Sequence, residues 1–170
     1  DMTPVLIGAG AGAVGDLSCP DIFRCFDPEI EFGSHKKMVG SLGKDYQAEH
    51  IIPTSAFHQL GRGGDLMEGC EGYSTPSALT WMVRDAQKKH ETHKLLTDPM
   101  RQFSQANDLD GRQAPLSEWL DKYEDGATDA LQNAQPPRTI KPEHESLDVN
   151  ALTAAAAKCI RGKAEEAFKK

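Results

Sequence analysis

The feature that most constrains the fold of this 170-residue chain is that its clearest helical patterns lie in the last third. Residues 115–134 repeat apolar side chains at helical spacing, which predicts an amphipathic helix. The apolar side of that helix comprises Leu116, Trp119, Leu120 and Tyr123. A last helix is predicted over residues 151–168, which are rich in alanine and follow two candidate N-cap residues, Asp148 and Asn150.

The first two thirds of the chain carry turn and strand signals instead. Residues 1–35 are rich in Gly and Pro, with short strand-like pieces such as residues 30–32. Residues 78–83 are either a buried strand or the first turns of a long helix, since periodicity alone does not separate the two. Asp98-Pro99 is predicted to end one helix and open the next. We therefore expect an α+β protein with an irregular acidic segment (1–35), a core (36–105) and a helical extension (106–170).

Charge is unevenly distributed along the chain. The formal net charge is −7 and the pI is about 5.3, which argues against a strongly basic nucleic-acid binder. The net charge is −5 over residues 1–35, +1 over residues 36–101 and −3 over residues 102–170, and four of the six histidines lie in the middle segment. Contact with a nucleic acid is therefore expected only from the middle segment, while the acidic parts suit a protein partner.

The cysteines and the apolar runs exclude two further classes of protein. The four cysteines form no C-x-x-C pair, so a four-cysteine zinc site is not expected. They are interpreted as mostly free thiols, with Cys19–Cys25 the one plausible local pair. No run approaches 18 uncharged apolar residues, so no membrane partner is predicted.

Residue types typical of a metal site occur in two short segments. Glu49 and His50 precede two β-branched residues and Pro53, which favours the end of a strand. Because neighbours in a strand point to opposite faces, Glu49 and His50 serve one site only if the strand ends or bulges there. His90 and His93 share a face if their segment is helical. Carboxylate and imidazole groups hold divalent ions, and a further imidazole can take a proton from water during phosphodiester hydrolysis.

These residues resemble a known family. Glu49–Pro53, with the sequence Glu-His-Ile-Ile-Pro, resembles the first motif of the HNH/endonuclease VII superfamily, the ββα-metal or His-Me finger nucleases. The downstream His90-x-x-His93 resembles the helix motif of that superfamily. Together the four residues resemble the E-H-H-H signature of a subgroup found at the C-termini of bacterial polymorphic and contact-dependent, type VI-like, toxins. The resemblance covers roughly residues 44–100.

The resemblance implies a fold and a set of roles. Two strands and a helix would form a small ββα-metal core that holds one divalent ion (Mg, Mn, Ni or Zn) against a DNA backbone. His50 would be the general base, and the metal ligands would be Glu49, His90 and His93. The basic residues expected to contact phosphate are Arg62, Lys88, Lys89 and Lys94. The implied activity is a metal-dependent endonuclease, and an RNase on the same scaffold is left open as an alternative.

The resemblance also implies partners and a location. Toxins of this subgroup are antibacterial effectors that travel on a secretion system, with a carrier or chaperone, into the cytoplasm of a target cell. A cognate immunity protein neutralises them in the cell that makes them. The chain would then pair its nuclease core with surfaces that meet other proteins.

The chain departs from the commoner members of the superfamily. It lacks the central Asn that often orients the base and the zinc-binding CxxC pairs that brace many of them. A non-catalytic protein-binding module, in which the His cluster holds a structural zinc and the acidic faces bind a protein, is kept as a second alternative. His58 is interpreted as a loop residue or an extra ligand, and His35 and His144 as surface residues.

Overall fold

The computed structural model describes residues 14–41, 45–51, 74, 78–84, 91–109, 114–133 and 138–168. These residues form an α+β fold, as the sequence predicts. In chain order the elements are α1 (Cys19–Arg24), β1 (Phe26–Asp27), β2 (Phe32–Ser34), α2 (His35–Ser41), β3 (Tyr46–His50), β4 (Leu79–Arg84), α3 (Glu91–Leu109), α4 (Leu116–Gln132), β5 (Thr139–Ile140), a short 3₁₀ helix (Pro142–His144) and α5 (Val149–Phe168).

The sheet that matters for the site has three strands in the order β2-β4-β3, and both neighbours of β4 are antiparallel to it. Its central strand settles the alternative left open for residues 78–83, since Leu79–Arg84 is strand and not helix. Side chains alternate between the two faces of a strand, and paired residues share a face. The pairing therefore creates two rows of side chains that cross all three strands.

The first row contains Gly33, Thr80 and His50. Helix α2 covers this face, because an added Cβ at Gly33 would lie 2.9 Å from Sδ of Met38. The glycine thus allows α2 to approach the sheet closely. The hydroxyl of Thr80 donates a hydrogen bond of 3.0 Å to the carbonyl oxygen of Gly33, which satisfies a polar group buried under the helix.

The second row contains Phe32, Trp81 and Glu49, and it faces the C-terminal helices. Trp81 is 1% exposed and its Nε1 donates a hydrogen bond to the hydroxyl of Tyr123 in α4. This face contributes to the main hydrophobic core, which also includes Leu96 of α3. The sheet is therefore a layer between α2 on one side and the C-terminal helices on the other.

A second, two-stranded sheet ties the beginning of the described chain to its end. Strand β1 pairs antiparallel with β5, with Phe26 opposite Ile140. A disulfide joins Cys19 in α1 to Cys159 in α5. The predicted local pair Cys19–Cys25 is therefore wrong, and Cys25 is a buried free thiol. Only the fold brings Cys19 and Cys159 together, since they lie 140 residues apart in the chain.

The N-terminal segment is not irregular where the structure describes it, because it contains α1, β1 and β2. Its buried side chains join the same core as the rest of the protein. That core contains Ile22 from the first predicted segment, Trp81 from the second and Leu120 from the third. The three segments inferred from composition thus share one hydrophobic core.

The helix predictions are confirmed in the C-terminal third and wrong at one proline. Helix α4 spans Leu116–Gln132 and α5 spans Val149–Phe168. Asp148 caps α5, since its Oδ1 accepts hydrogen bonds from the backbone amides of Asn150 and Ala151. Helix α3, however, continues through Pro99. None of the described helices is long and apolar enough to cross a membrane.

Candidate functional site

The candidate site lies at the end of β3, at His50, the residue predicted from the sequence to be the general base. Strands β3 and β4 pair antiparallel and α3 follows them in the chain, which is a ββα order. Strand β3 ends at His50, and the next residue, Ile51, is 2% exposed. The strand end inferred near Pro53 is thus found three residues before it, and Pro53 itself lies outside the described residues.

The ladder is regular up to its last pair, so Glu49 and His50 point to opposite faces of the sheet. Glu49 pairs with Trp81 and His50 pairs with Thr80, with no extra residue between them. The strand ends at this point without a bulge that would turn both side chains to one side. The structure therefore separates the carboxylate and the imidazole that the sequence places next to each other.

His50 has a second imidazole as its neighbour. Its ring stacks on that of His35, with 4.5 Å between the ring centroids and 27° between the planes. His35 is the first residue of α2, and both rings are half-buried. The two histidines are 15 positions apart in the sequence and lie on the α2 side of the sheet. This histidine pair, His35 with His50, is the main chemical feature of that face.

Glu49 lies in the opposite environment. It is 5% exposed and belongs to the row that faces α4. Burial raises the pKa of the Tyr123 hydroxyl well above its usual value, and the nearby negative charge of Glu49 raises it further. A buried carboxylate needs hydrogen bonds or an opposite charge to offset its lost hydration. The carboxylate of Glu49 is therefore stable in the core only with such compensating interactions.

The other predicted site residues lie partly or wholly outside the described chain. His93 is in the first turn of α3, but its side chain is not described. Thr92, beside it, is 1% exposed, whereas Lys94 is exposed. The remaining candidates lie outside the described residues altogether, namely His58, Arg62, Lys88, Lys89 and His90.

The residues that the structure describes contain no group of three or more His, Cys, Asp or Glu that could hold a metal ion. That search does not include His90 or the side chain of His93. The position of Glu49 fits the expected ion, since Glu49 lies on the sheet face that shares a core with α3, the helix that contains His93. The position of His50 does not fit, because His50 lies on the opposite face of the sheet.

Sequence reasoning missed His35 and the two lysines that follow it. His35 was predicted to be a surface residue, and no local pattern connects it with His50. The connection depends on the order β2-β4-β3, which places the start of α2 across β4 from the end of β3. Lys36 and Lys37 are exposed on α2 beside this pair. The structure has a short strand, Phe32–Ser34, running directly into the helix that begins at His35, and neither of these bounds is predicted from the sequence.

The described residues define an α+β protein in which a half-buried histidine pair lies at the end of a three-stranded antiparallel sheet. Comparison of the chain with protein-family models, curated proteins and solved structures finds no match.

Proposed function

We propose that this protein is a metal-dependent endonuclease that hydrolyses DNA phosphodiester bonds and acts as a secreted antibacterial toxin. The observation that carries the proposal is the half-buried imidazole of His50 at the end of the first strand in a β3-β4-α3 arrangement. The same chain order and the motif around His50 are what the sequence shares with the ββα-metal nucleases. The position of the imidazole and the sequence motif both support His50 as the general base.

In this proposal His50 accepts a proton from water as the water oxygen attacks the phosphorus atom. A neutral imidazole suits this role because its ordinary pKa lies close to neutral pH. The resemblance implies that Glu49, His90 and His93 would hold a divalent ion, which would supply the positive charge that stabilises the phosphate and the leaving oxygen. Because Glu49 and His50 lie on opposite faces of the sheet, the two could serve one ion only around the end of β3. The chain's own contribution is to hold an imidazole at the strand end and to keep a carboxylate buried on the neighbouring position.

Exposed lysines support a substrate with phosphate groups. Lys36 and Lys37 are next to the histidine pair in α2, and Lys94 is exposed in the first turn of α3. These residues lie in the one part of the chain that is not acidic overall. The affinity for DNA is expected to be modest and to decrease with salt.

The disulfide supports the secreted part of the proposal. Disulfides form in oxidising compartments and are rare in proteins that stay in a reducing cytosol. The Cys19–Cys159 bond is therefore expected in a protein that passes through a secretion route before it reaches the cytoplasm of a target cell. We further propose that its partners are a secretion carrier or chaperone and an immunity protein, for which the acidic C-terminal helices provide a surface.

A plasmid-nicking assay tests the activity. Purified protein is incubated with supercoiled plasmid and Mg, Mn, Ni or Zn, next to His50→Ala and the control His144→Ala, whose residue lies in the 3₁₀ helix outside the three-stranded sheet. Wild type and His144→Ala should cleave DNA, whereas His50→Ala and EDTA-treated wild type should not. Cleavage of RNA but not of DNA under these conditions would favour the RNase alternative. Intact DNA and RNA with every metal would show the proposal to be wrong.

A second experiment tests the role of Glu49 and distinguishes a nuclease from a zinc-stabilised binding module. Glu49→Gln keeps the shape of the buried side chain and removes its charge. The variant should fold, bind the metal more weakly in calorimetric titration and cleave DNA more slowly. A structural zinc would instead make the melting temperature collapse when a chelator is added to wild-type protein, with no cleavage at any stage.

A further inference from the structure

We infer that His35 is a positioning residue for His50, and this inference rests on the proposed function. The two rings stack with a centroid distance of 4.5 Å and an interplanar angle of 27°. Rotation about the Cβ–Cγ bond of a histidine is broad, so a group that packs against the ring of a strand-end imidazole narrows the orientations open to it. The His35 ring fills that position.

His35 is itself fixed by the backbone around it. Its amide donates a hydrogen bond of 2.9 Å to the carbonyl oxygen of Ala78, directly before β4. The side chain of Ser34 accepts a 3.3 Å hydrogen bond from the amide of Lys37, which holds the first turn of α2. The start of α2 is thus attached to the sheet at one end of β4. A ring carried at this position has little freedom to move away from His50.

The sheet register places the two histidines within reach of each other. Ser34 pairs with Leu79 and His50 pairs with the next residue, Thr80. Neighbouring strands are about 4.8 Å apart, and β4 lies between β2 and β3. The start of α2, directly after β2, is therefore two strand spacings from the end of β3. Both side chains bridge that gap on the α2 side, above Thr80. The stacking is a consequence of the strand order rather than of the local sequence.

A positioning role makes a prediction that a proton-transfer role does not. A phenylalanine at residue 35 can stack on His50 in the same way but has no ring nitrogen, whereas an alanine offers neither. Positioning therefore predicts that His35→Phe restores what His35→Ala loses. Catalysis by a nitrogen atom of His35 predicts that both variants are equally impaired.

The experiment compares wild type, His35→Ala, His35→Phe and the control His144→Ala. The steady-state parameters kcat and KM are measured on a labelled DNA duplex, and the ring-proton chemical shifts of His50 are measured by NMR in the same proteins. His35→Ala should lower kcat by about ten- to a hundredfold with little change in KM, and should remove the ring-current shift of the His50 protons. His35→Phe should recover most of kcat and of the ring-current shift, and His144→Ala should match wild type.

Two outcomes would overturn the inference. One is an unchanged kcat in His35→Ala. The other is a His35→Phe variant that keeps the His50 ring-current shift but is as inactive as His35→Ala, which would assign a direct chemical role to a His35 nitrogen. If wild-type protein cleaves no nucleic acid, the proposed function fails. The NMR comparison then still decides whether His35 fixes the ring of His50.

Discussion

At the scale of single residues, Arg138 joins three separate parts of the described chain through long-range hydrogen bonds. It is 8% exposed, and its guanidinium donates hydrogen bonds to three backbone carbonyl oxygens, at 2.9 Å to Pro28, 3.0 Å to Met82 and 3.3 Å to Glu29. One side chain thus joins the approach to β2, the central strand β4 and the segment before β5. These contacts add to the strand pairings β1-β5 and β2-β4, which connect the same parts of the chain.

Replacing Arg138 with Met should destabilise the protein, because three carbonyl groups lose their donors. The bond to Met82 is buried, and its acceptor left without a donor costs about 1–3 kcal/mol, whereas the two part-buried bonds contribute about 0.5–1.5 kcal/mol each. We therefore expect the free energy of unfolding to fall by about 3 kcal/mol. Urea unfolding followed by circular dichroism measures the change. Arg101→Met is the matched control, since Arg101 is 63% exposed and its ion pair with Asp98 contributes less than about 1 kcal/mol. Equal losses in the two variants would contradict this role.

At the scale of elements, α2 is the helix that would carry the histidine pair to a nucleic-acid substrate under the proposed function. It begins at His35, and its exposed lysines, Lys36 and Lys37, follow directly. If both contact DNA phosphates, a Lys36→Gln/Lys37→Gln variant should bind DNA more weakly. The slope of log binding constant against log salt concentration should become less steep by about 1.8, since each neutralised phosphate contributes about 0.9.

Fluorescence anisotropy with a labelled duplex, in a His50→Ala background that prevents cleavage, measures this slope. The control is Lys122→Gln/Lys158→Gln, which removes the same charge from exposed positions in α4 and α5. An equal effect of the two double variants would mean that only the net charge of the chain matters. The proposed contact between DNA phosphates and the lysines of α2 would then be wrong.

Helix α3 shows where local sequence rules are overridden by packing. Asp98-Pro99 is a strong local signal for a helix end, because proline removes one hydrogen bond and costs about 3 kcal/mol inside a helix. Leu96 and Met100, on either side of it, are 1% and 2% exposed. Burial of each such side chain contributes about 1.5–3 kcal/mol, which is enough to offset the cost of the proline. The sequence contains both signals, but only the fold shows which one is larger.

At the scale of the whole molecule, the elements predicted from the sequence are those that local physics determines. The pattern from Leu116 predicts α4, and Asp148 predicts the start of α5, because amphipathic spacing and capping depend on residues one turn apart. The pairing of Cys19 with Cys159 and the stacking of His35 on His50 depend on strand order and helix packing across the chain. No rule that considers one segment at a time contains that information.

The Cys19–Cys159 disulfide makes the last prediction, because it links α1 to α5 and closes a loop of 140 residues. Closing so long a loop restricts the unfolded chain and stabilises the folded one by about 4–5 kcal/mol. Cys25 should not compete for the bond, because burial, and after it the nearby charge of Asp21, raises the pKa of its thiol and so lowers the thiolate fraction. Reduction should therefore lower the midpoint of urea unfolding, and reoxidation should restore the Cys19–Cys159 bond rather than a bond to Cys25.

Urea unfolding with and without dithiothreitol measures this effect. The Cys19→Ser/Cys159→Ser variant is the control, since it should show the lower midpoint in both conditions. Wild-type protein whose midpoint does not respond to the reductant would contradict the prediction. The disulfide lies between α1 and α5 and not in the three-stranded sheet, so DNA cleavage by molecules that remain folded should be unchanged after reduction. Under the proposed function, a protein that crosses an oxidising compartment and then works in a reducing one would combine a stability that depends on the bond with a site that does not.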